Sequence, residues 1–158
     1  MSAQRGPYAL QQDEGEAIWF LGTLMTVKAG GAETGDAFTL LDQVLPPGFA
    51  PPPHRHQVED EAFYLLEGAM TVTCDGRAWE LAPGGFIFLP RGLVHGFQVS
   101  GRTPTRVLQL TLPAGFERFA RTVGEPARET VLPPPAPPDV GRLLDAAARH
   151  HIEITPPA

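Results

Sequence analysis

Residues 48–68 read GFAPPPHRHQVEDEAFYLLEG, from Gly48 to Gly68, and this stretch decides the fold. Pro51-Pro52-Pro53 stiffens the chain just ahead of His54-Arg55-His56. On a strand, residues i and i+2 share a face. His54 and His56 would therefore point the same way and form half of a metal site. Glu61 follows five residues after His56, an odd offset that faces it away on an uninterrupted strand. The polar segment Gln57–Asp60 can turn and bring it back. A third imidazole, His95, follows the turn signal Pro90-Arg91-Gly92 and comes from a strand distant in sequence. Three imidazoles and one carboxylate make an N3O set that suits Fe, Mn, Ni, Co, Cu or Zn. From the residues alone each piece also has a plain reading. His-x-His arises by chance, Glu59-Asp60-Glu61 can be a solvated acidic loop, and His95 can be a hydrogen-bonded histidine with no metal.

Outward from this stretch, short apolar runs alternate with turn residues from Ile18 to Pro113. Ile18–Lys28 is one run and Ala29–Asp36 a loop. Phe38–Leu45 is the next run, broken by Pro46-Pro47-Gly48. Glu61–Leu66 and Ala69–Cys74 flank Glu67-Gly68, and Asp75-Gly76 is a tight-hairpin signal. Trp79–Leu81, Phe86–Leu89, His95–Val99 and Thr105–Leu112 follow at intervals of about ten residues, the rhythm of an all-β sandwich or barrel. No period of 20–50 residues repeats, so solenoids and propellers are excluded. The barrel is assigned residues 1–113 and a helical extension residues 114–158. In the extension, Phe116, Phe119, Ala120 and Val123 have helical spacing. Val131–Pro138 holds five prolines in eight residues and predicts an extended linker. Asp139 is a plausible N-cap for a second helix with the stripe Val140, Leu143, Leu144, Ala147 and Ala148. His150 and His151 end that helix, where dipole complementarity or plain solvation accounts for them. Ile152–Thr155 predicts a short edge strand, and Pro156-Pro157-Ala158 a frayed end.

Composition narrows the function classes. The chain has 158 residues, one ordinary domain, with 42% hydrophobic residues and more than a fifth Gly and Pro. The net charge is −6, and eleven of the twelve cations are arginines scattered singly. There is no basic face for nucleic acid. No apolar stretch approaches the ~20 residues of a membrane span. Met1–Glu16 is polar, with no hydrophobic signal core. The single cysteine, Cys74, forms no intrachain disulfide, and a cytoplasmic location is expected. Beside the Asp75-Gly76 turn it reads as a small β-residue.

The order of these residues resembles the cupin superfamily. Its first motif, G-x5-H-x-H-x3-4-E-x6-G, is matched by Gly48, His54, His56, Glu61 and Gly68. Its second, G-x5-P-x-G-x2-H-x3-N, is matched by Gly84, Pro90, Gly92 and His95, with Val99 in place of the final Asn. That Asn is not a metal ligand in the family, so the departure leaves the metal set intact. The resemblance covers about Phe38–Leu112 and implies a double-stranded β-helix, or jelly-roll, barrel. It implies that His54, His56, Glu61 and His95 hold one divalent metal inside the mouth.

By strand parity Phe63 and Leu65 share a face with Glu61, and Phe97 and Val99 with His95. These four are the expected pocket lining, although each also suits barrel core. One of the faces Phe86/Phe88 and Ile87/Leu89 lines the interior. An apolar pocket with one metal fits a small apolar or aromatic substrate better than a sugar nucleotide. Glu59–Gly68 and the tail from Phe116 resemble single-domain bacterial cupins grouped with quercetin dioxygenases. That likeness implies metal-dependent cleavage of a flavonol-like or other phenolic or enol molecule by dioxygen. Glu61 would then be both ligand and the base that takes the hydroxyl proton. The alternatives are a cupin isomerase, cyclase or decarboxylase, and a non-catalytic module binding metal or a small ligand. A homodimer is expected, with Ile18–Lys28 crossing to the partner.

Overall fold

The computed structural model describes residues 5–155, so the expected frayed end at 156–158 lies outside the described residues. The elements in chain order are β1 (Glu16–Phe20), β2 (Thr23–Ala29), α1 (Gly31–Thr34), β3 (Thr39–Leu45), β4 (His54–His56) and β5 (Asp60–Glu67). Then come β6 (Met70–Cys74), β7 (Arg77–Leu81), β8 (Phe86–Leu89), β9 (His95–Val99) and β10 (Thr105–Leu112). The chain continues through α2 (Phe116–Val123), β11 (Glu125–Pro126), α3 (Val140–Arg149) and β12 (Ile152–Ile154). Seven strands form one sheet in the order β11-β1-β2-β3-β10-β5-β8, and five form the other, β12-β4-β9-β6-β7. All pairings are antiparallel. The result is a two-sheet cupin barrel, as the strand rhythm and the motif order predict.

Alternation builds the barrel interior. On β10, Thr105, Val107, Gln109 and Thr111 are buried and the residues between them less so. On β8, Ile87 and Leu89 turn inward, while Phe86 and Phe88 are 61% and 51% exposed, so the Ile/Leu face is the interior one. One cluster includes Leu45, Phe63, Leu65, Met70, Val72 and Val107. Complete burial of a side chain of this kind contributes about 1.5–3 kcal/mol. A second cluster joins Ile18, Phe20 and Met25 of the first strands to Phe116, Phe119 and Leu143 of the helices.

Three expectations are corrected. The run Ile18–Lys28 is two strands joined by Leu21-Gly22, at φ 50° and 83°, a two-residue hairpin turn in the left-handed region. A Leu-Gly turn inside an apolar run carries none of the Asn-Gly signal, so the break is hidden. The loop Ala29–Asp36 contains α1, because the Glu33 carboxylate accepts from the Gly30 N–H at 2.8 Å and caps the helix. The buried stripe of α3 is Leu143, Ala146 and Ala147, and Val140 and Leu144 face solvent. His150 continues that stripe with its ring 5.7 Å from Phe119, so it packs against an aromatic and is not plainly solvated. A turn and a cap match their expectations. Asp75-Gly76 is a tight turn at φ 52° and 72°, and Asp139 caps α3 by accepting from the Arg142 N–H at 3.0 Å.

Candidate metal centre

β4 is three residues long and carries two of the candidate ligands. It pairs with β9 at His54↔His95, which brings the second motif's histidine opposite the first. The chain leaves β4 in a bend at Gln57–Val58 and re-enters a strand at Asp60. This interruption returns Glu61 to the imidazole face. Two contacts hold the motifs together. The Gly92 N–H donates to the His56 carbonyl at 2.8 Å. Asp60 accepts from the Arg91 backbone N–H at 2.9 Å and from its Nε at 3.1 Å.

One ligand atom each from His54, His56, Glu61 and His95 lies within 4.8 Å of the other three. His56 and Glu61 are each 1% exposed and His95 2%. His54 is partly open and lines a cavity. Each imidazole has an acceptor on Nδ1. For His54 it is the Pro52 carbonyl at 3.0 Å, for His95 the Leu93 carbonyl at 3.3 Å, and for His56 Glu59 Oε2 at 3.1 Å. A carbonyl or carboxylate can only accept, so Nδ1 carries a proton in all three, and whenever a ring is neutral its Nε2 presents the lone pair. The Nε2 atoms of His56 and His95, and Glu61 Oε1, are buried without a hydrogen-bond partner. His56 Nε2 stands 3.2 Å from Glu61 Oε2, and His95 Nε2 3.2 Å from Glu61 Oε1. Unpartnered buried polar atoms are costly. Lone pairs gathered around one point are what a divalent cation would satisfy, and the residues fit such an ion.

The electrostatics lean the same way. Burial pushes the His54 pKa down to about 4 against the pull of Glu61, so this imidazole stays neutral. Burial also opposes a charge on His56, but the carboxylates of Glu61 and Glu59 outweigh it and push its pKa up to about 10. Burial would raise the Glu61 carboxyl, yet His56 and His95 hold it well below the usual range. The centre is built to contain positive charge.

The cavity beside the centre has a volume of about 60 Å³. His54 and Glu61 lie in its wall together with Phe49, Phe63, Phe97 and Phe116. Phe20, Met25, Phe119, Leu143, Ile152 and Ile154 complete the apolar side. Of the four expected lining residues, Phe63 and Phe97 border the cavity. Leu65 and Val99 are buried in the same apolar cluster as Phe63 but are not part of the cavity wall. Sequence reasoning missed Gln43 and Gln109. Gln109 Nε2 donates to Glu61 Oε2 at 2.8 Å, and Gln43 Nε2 donates to Gln109 Oε1. Their signal was available: each is an amide side chain at an inward position of its strand. Ile152 and Ile154 arrive because β12 pairs with β4, at Ile152↔His56 and Ile154↔His54. Arg55, which points away from the ligands, bonds Glu153 on that strand.

Comparison with known proteins gives the same picture. The cupin domain family matches residues 41–111. Quercetin 2,3-dioxygenase of Bacillus subtilis (strain 168) is 32% identical over 127 residues, which is 80% of this chain and 37% of that enzyme. The chain thus spans little more than a third of that relative's length, and 60% of another curated relative from Methanocaldococcus jannaschii. Among solved structures, the polyketide cyclase RemF of Streptomyces resistomycificus superposes with a TM-score of 0.59 at 24% identity, over 81% of this chain and 88% of that one. A predicted oxalate decarboxylase of Thermotoga maritima superposes with a TM-score of 0.60 at 20% identity, over 67% of this chain and 99% of that one. These two likenesses concern the fold. The domain match falls on the strands that carry both histidine motifs, and through it residues 41–111 are assigned to the cupin domain family.

Proposed function

We propose that this cupin is a mononuclear-metal dioxygenase acting on a small phenolic or enol molecule of the flavonol kind. The observation that carries the reading is the meeting of a buried three-histidine, one-carboxylate cluster with a cavity walled by phenylalanines. The likeness to quercetin 2,3-dioxygenase supplies the reaction class. His54, His56, Glu61 and His95 would hold one divalent ion of Fe, Mn, Ni, Co, Cu or Zn. Such an ion supplies Lewis acidity toward a substrate oxygen and, when redox-active, a site for dioxygen.

The protein's own residues do the rest. Glu61 Oε2 is engaged by Gln109, so the carboxylate is fixed in orientation and Oε1 is left to take a hydroxyl proton from a substrate. Phe49, Phe63, Phe97 and Phe116 exclude water and offer ring faces and edges to a planar apolar ligand. Among the described residues no arginine or lysine lines the cavity, which disfavours phosphorylated or carboxylated substrates. The test is oxygen uptake with a panel of flavonols, after reconstitution with each candidate metal in turn. Uptake matched by loss of the flavonol chromophore supports the reading. Conversion of substrate without oxygen consumption points instead to isomerisation, cyclisation or decarboxylation at the same centre. No conversion with any metal leaves a binding module.

A further inference from the structure

Three imidazoles enter the centre, and only one is backed by a charge. His54 and His95 donate Nδ1–H to backbone carbonyls, whereas His56 donates to the carboxylate of Glu59 at 3.1 Å. Glu59 is not one of the four converging groups, yet it is only 6% exposed. A buried carboxylate is costly unless it is paired. Its one hydrogen bond among the described residues runs to His56. The N-terminus of α2 stands behind its other oxygen, since a Cβ on Gly115 would sit 3.6 Å from Oε1. That partial positive charge favours an anion there. Arg91, close in sequence space to the motif, spends its hydrogen bonds on Asp60 instead.

We propose that Glu59 is a positioning residue of the metal centre. It locks His56 in the tautomer that offers Nε2, and its charge joins that of Glu61 so that the buried cluster balances a divalent ion. This rests on the metal-centre reading but not on the identity of the reaction. With His54, His56 and His95 neutral, Glu61 alone leaves a buried divalent cation with one uncompensated positive charge. Glu59 adds a second negative charge beside the centre without a fifth ligand, with Arg118 Nη2 on its outer side, 3.3 Å from where a Cβ on Gly115 would sit. A carboxylate behind a ligating imidazole also raises its basicity and fixes its ring. The two functions separate by substitution. Glu59→Gln keeps a neutral acceptor for Nδ1–H and loses the charge, whereas Glu59→Leu loses both.

The experiment is the affinity of the full chain for Co2+ alone, by competition with a chelator, together with the visible absorption of the bound ion. Outer carboxylate partners change metal affinity by roughly 10–100-fold. We expect Glu59→Gln to bind Co2+ about tenfold more weakly with the absorption band shape kept, because His56 still ligates. Glu59→Leu is expected near the hundredfold end, with an altered band as the His56 ring loses its orientation. A merely structural role for Glu59 would lower the unfolding temperature of the metal-free protein and leave the affinity of the folded fraction alone. Equal Co2+ affinity in wild type and folded Glu59→Gln overturns the inference and leaves the metal centre standing. If folded wild type binds no Co2+, the metal-centre reading and the inference fall together. If Glu59→Leu does not fold, the Glu59→Gln comparison decides.

Discussion

Glu61 is asked to do two things, and one substitution separates them. Glu61→Gln keeps the size and an oxygen but removes charge and basicity. If Glu61 is the base, turnover per bound metal should fall by roughly 10² or more. Unchanged turnover per metal, measured against metal content, would leave it a ligand only. His95→Ala should lose metal and activity together, because it removes a donor contributed by a distant strand. His54, His56 and Glu61 have local signals, His-x-His on one strand and a polar bend that resets the parity of Glu61, whereas His95 joins them only through the resemblance of the two motifs to the cupin pattern. Glu59 is not legible in this way. It lies inside that bend, among residues that read as a solvated acidic loop. Only the folded chain shows it 6% exposed against His56. Leu65 and Val99 show the opposite limit. Their parity with the ligands is right, but parity gives the face and not the depth along the barrel.

Among the elements, the helices and β12 complete the cavity, and Glu117 fastens α2 to α1 and β3. This residue of α2 is 1% exposed. It accepts from the Gly31 N–H at 2.8 Å, from the Gly115 N–H at 3.1 Å and from the Thr39 hydroxyl. Burial opposes its charge, but these donors win and hold its pKa below the ordinary 4.5. A depressed carboxyl contributes stability above its unfolded pKa and loses it as pH falls through the folded value. Glu117→Gln should therefore cost about 2 kcal/mol near neutrality, the worth of a charge-assisted hydrogen bond. The gap to wild type should close as the medium is acidified through the folded-state value, which lies below 4.5. Denaturant unfolding across that range checks it, and a gap independent of pH would contradict it. Leu143→Ala, in α3, should cost about 2–5 kcal/mol and enlarge the cavity wall. A loss under 1 kcal/mol would mean that α3 is only loosely seated. The helical period is legible for α2. For α3 the reading is a turn off, because Val140 and Leu144 are apolar yet exposed, and two small alanines carry the packing instead.

At the scale of the whole molecule, strand spacing and turn residues make the barrel legible, whereas the pairing of β12 with β4 is a long-range contact that no local pattern announces. Ile18–Lys28 folds into this chain's own sheet as β1 and β2, which moves attention elsewhere for the expected homodimer. β8 is an edge strand, and its Phe86 and Phe88 lie beside the outward Tyr64 of β5, all three exposed. Apolar groups of this size along an open edge favour association. Light scattering should give twice the 17.0 kDa of one chain at micromolar concentration, and Phe88→Glu should shift it toward monomer. A monomeric mass for the wild type would refute the dimer without touching the centre. The central claim is that two strands of one sheet and one of the other aim four side chains at a single ion. The direct measurement is anomalous X-ray scattering at the metal edge from crystals of the reconstituted protein. The account predicts one peak per chain, about 2.0–2.3 Å from His54, His56, Glu61 and His95. A fully loaded crystal with its ion elsewhere, or with these four side chains turned apart, would contradict it.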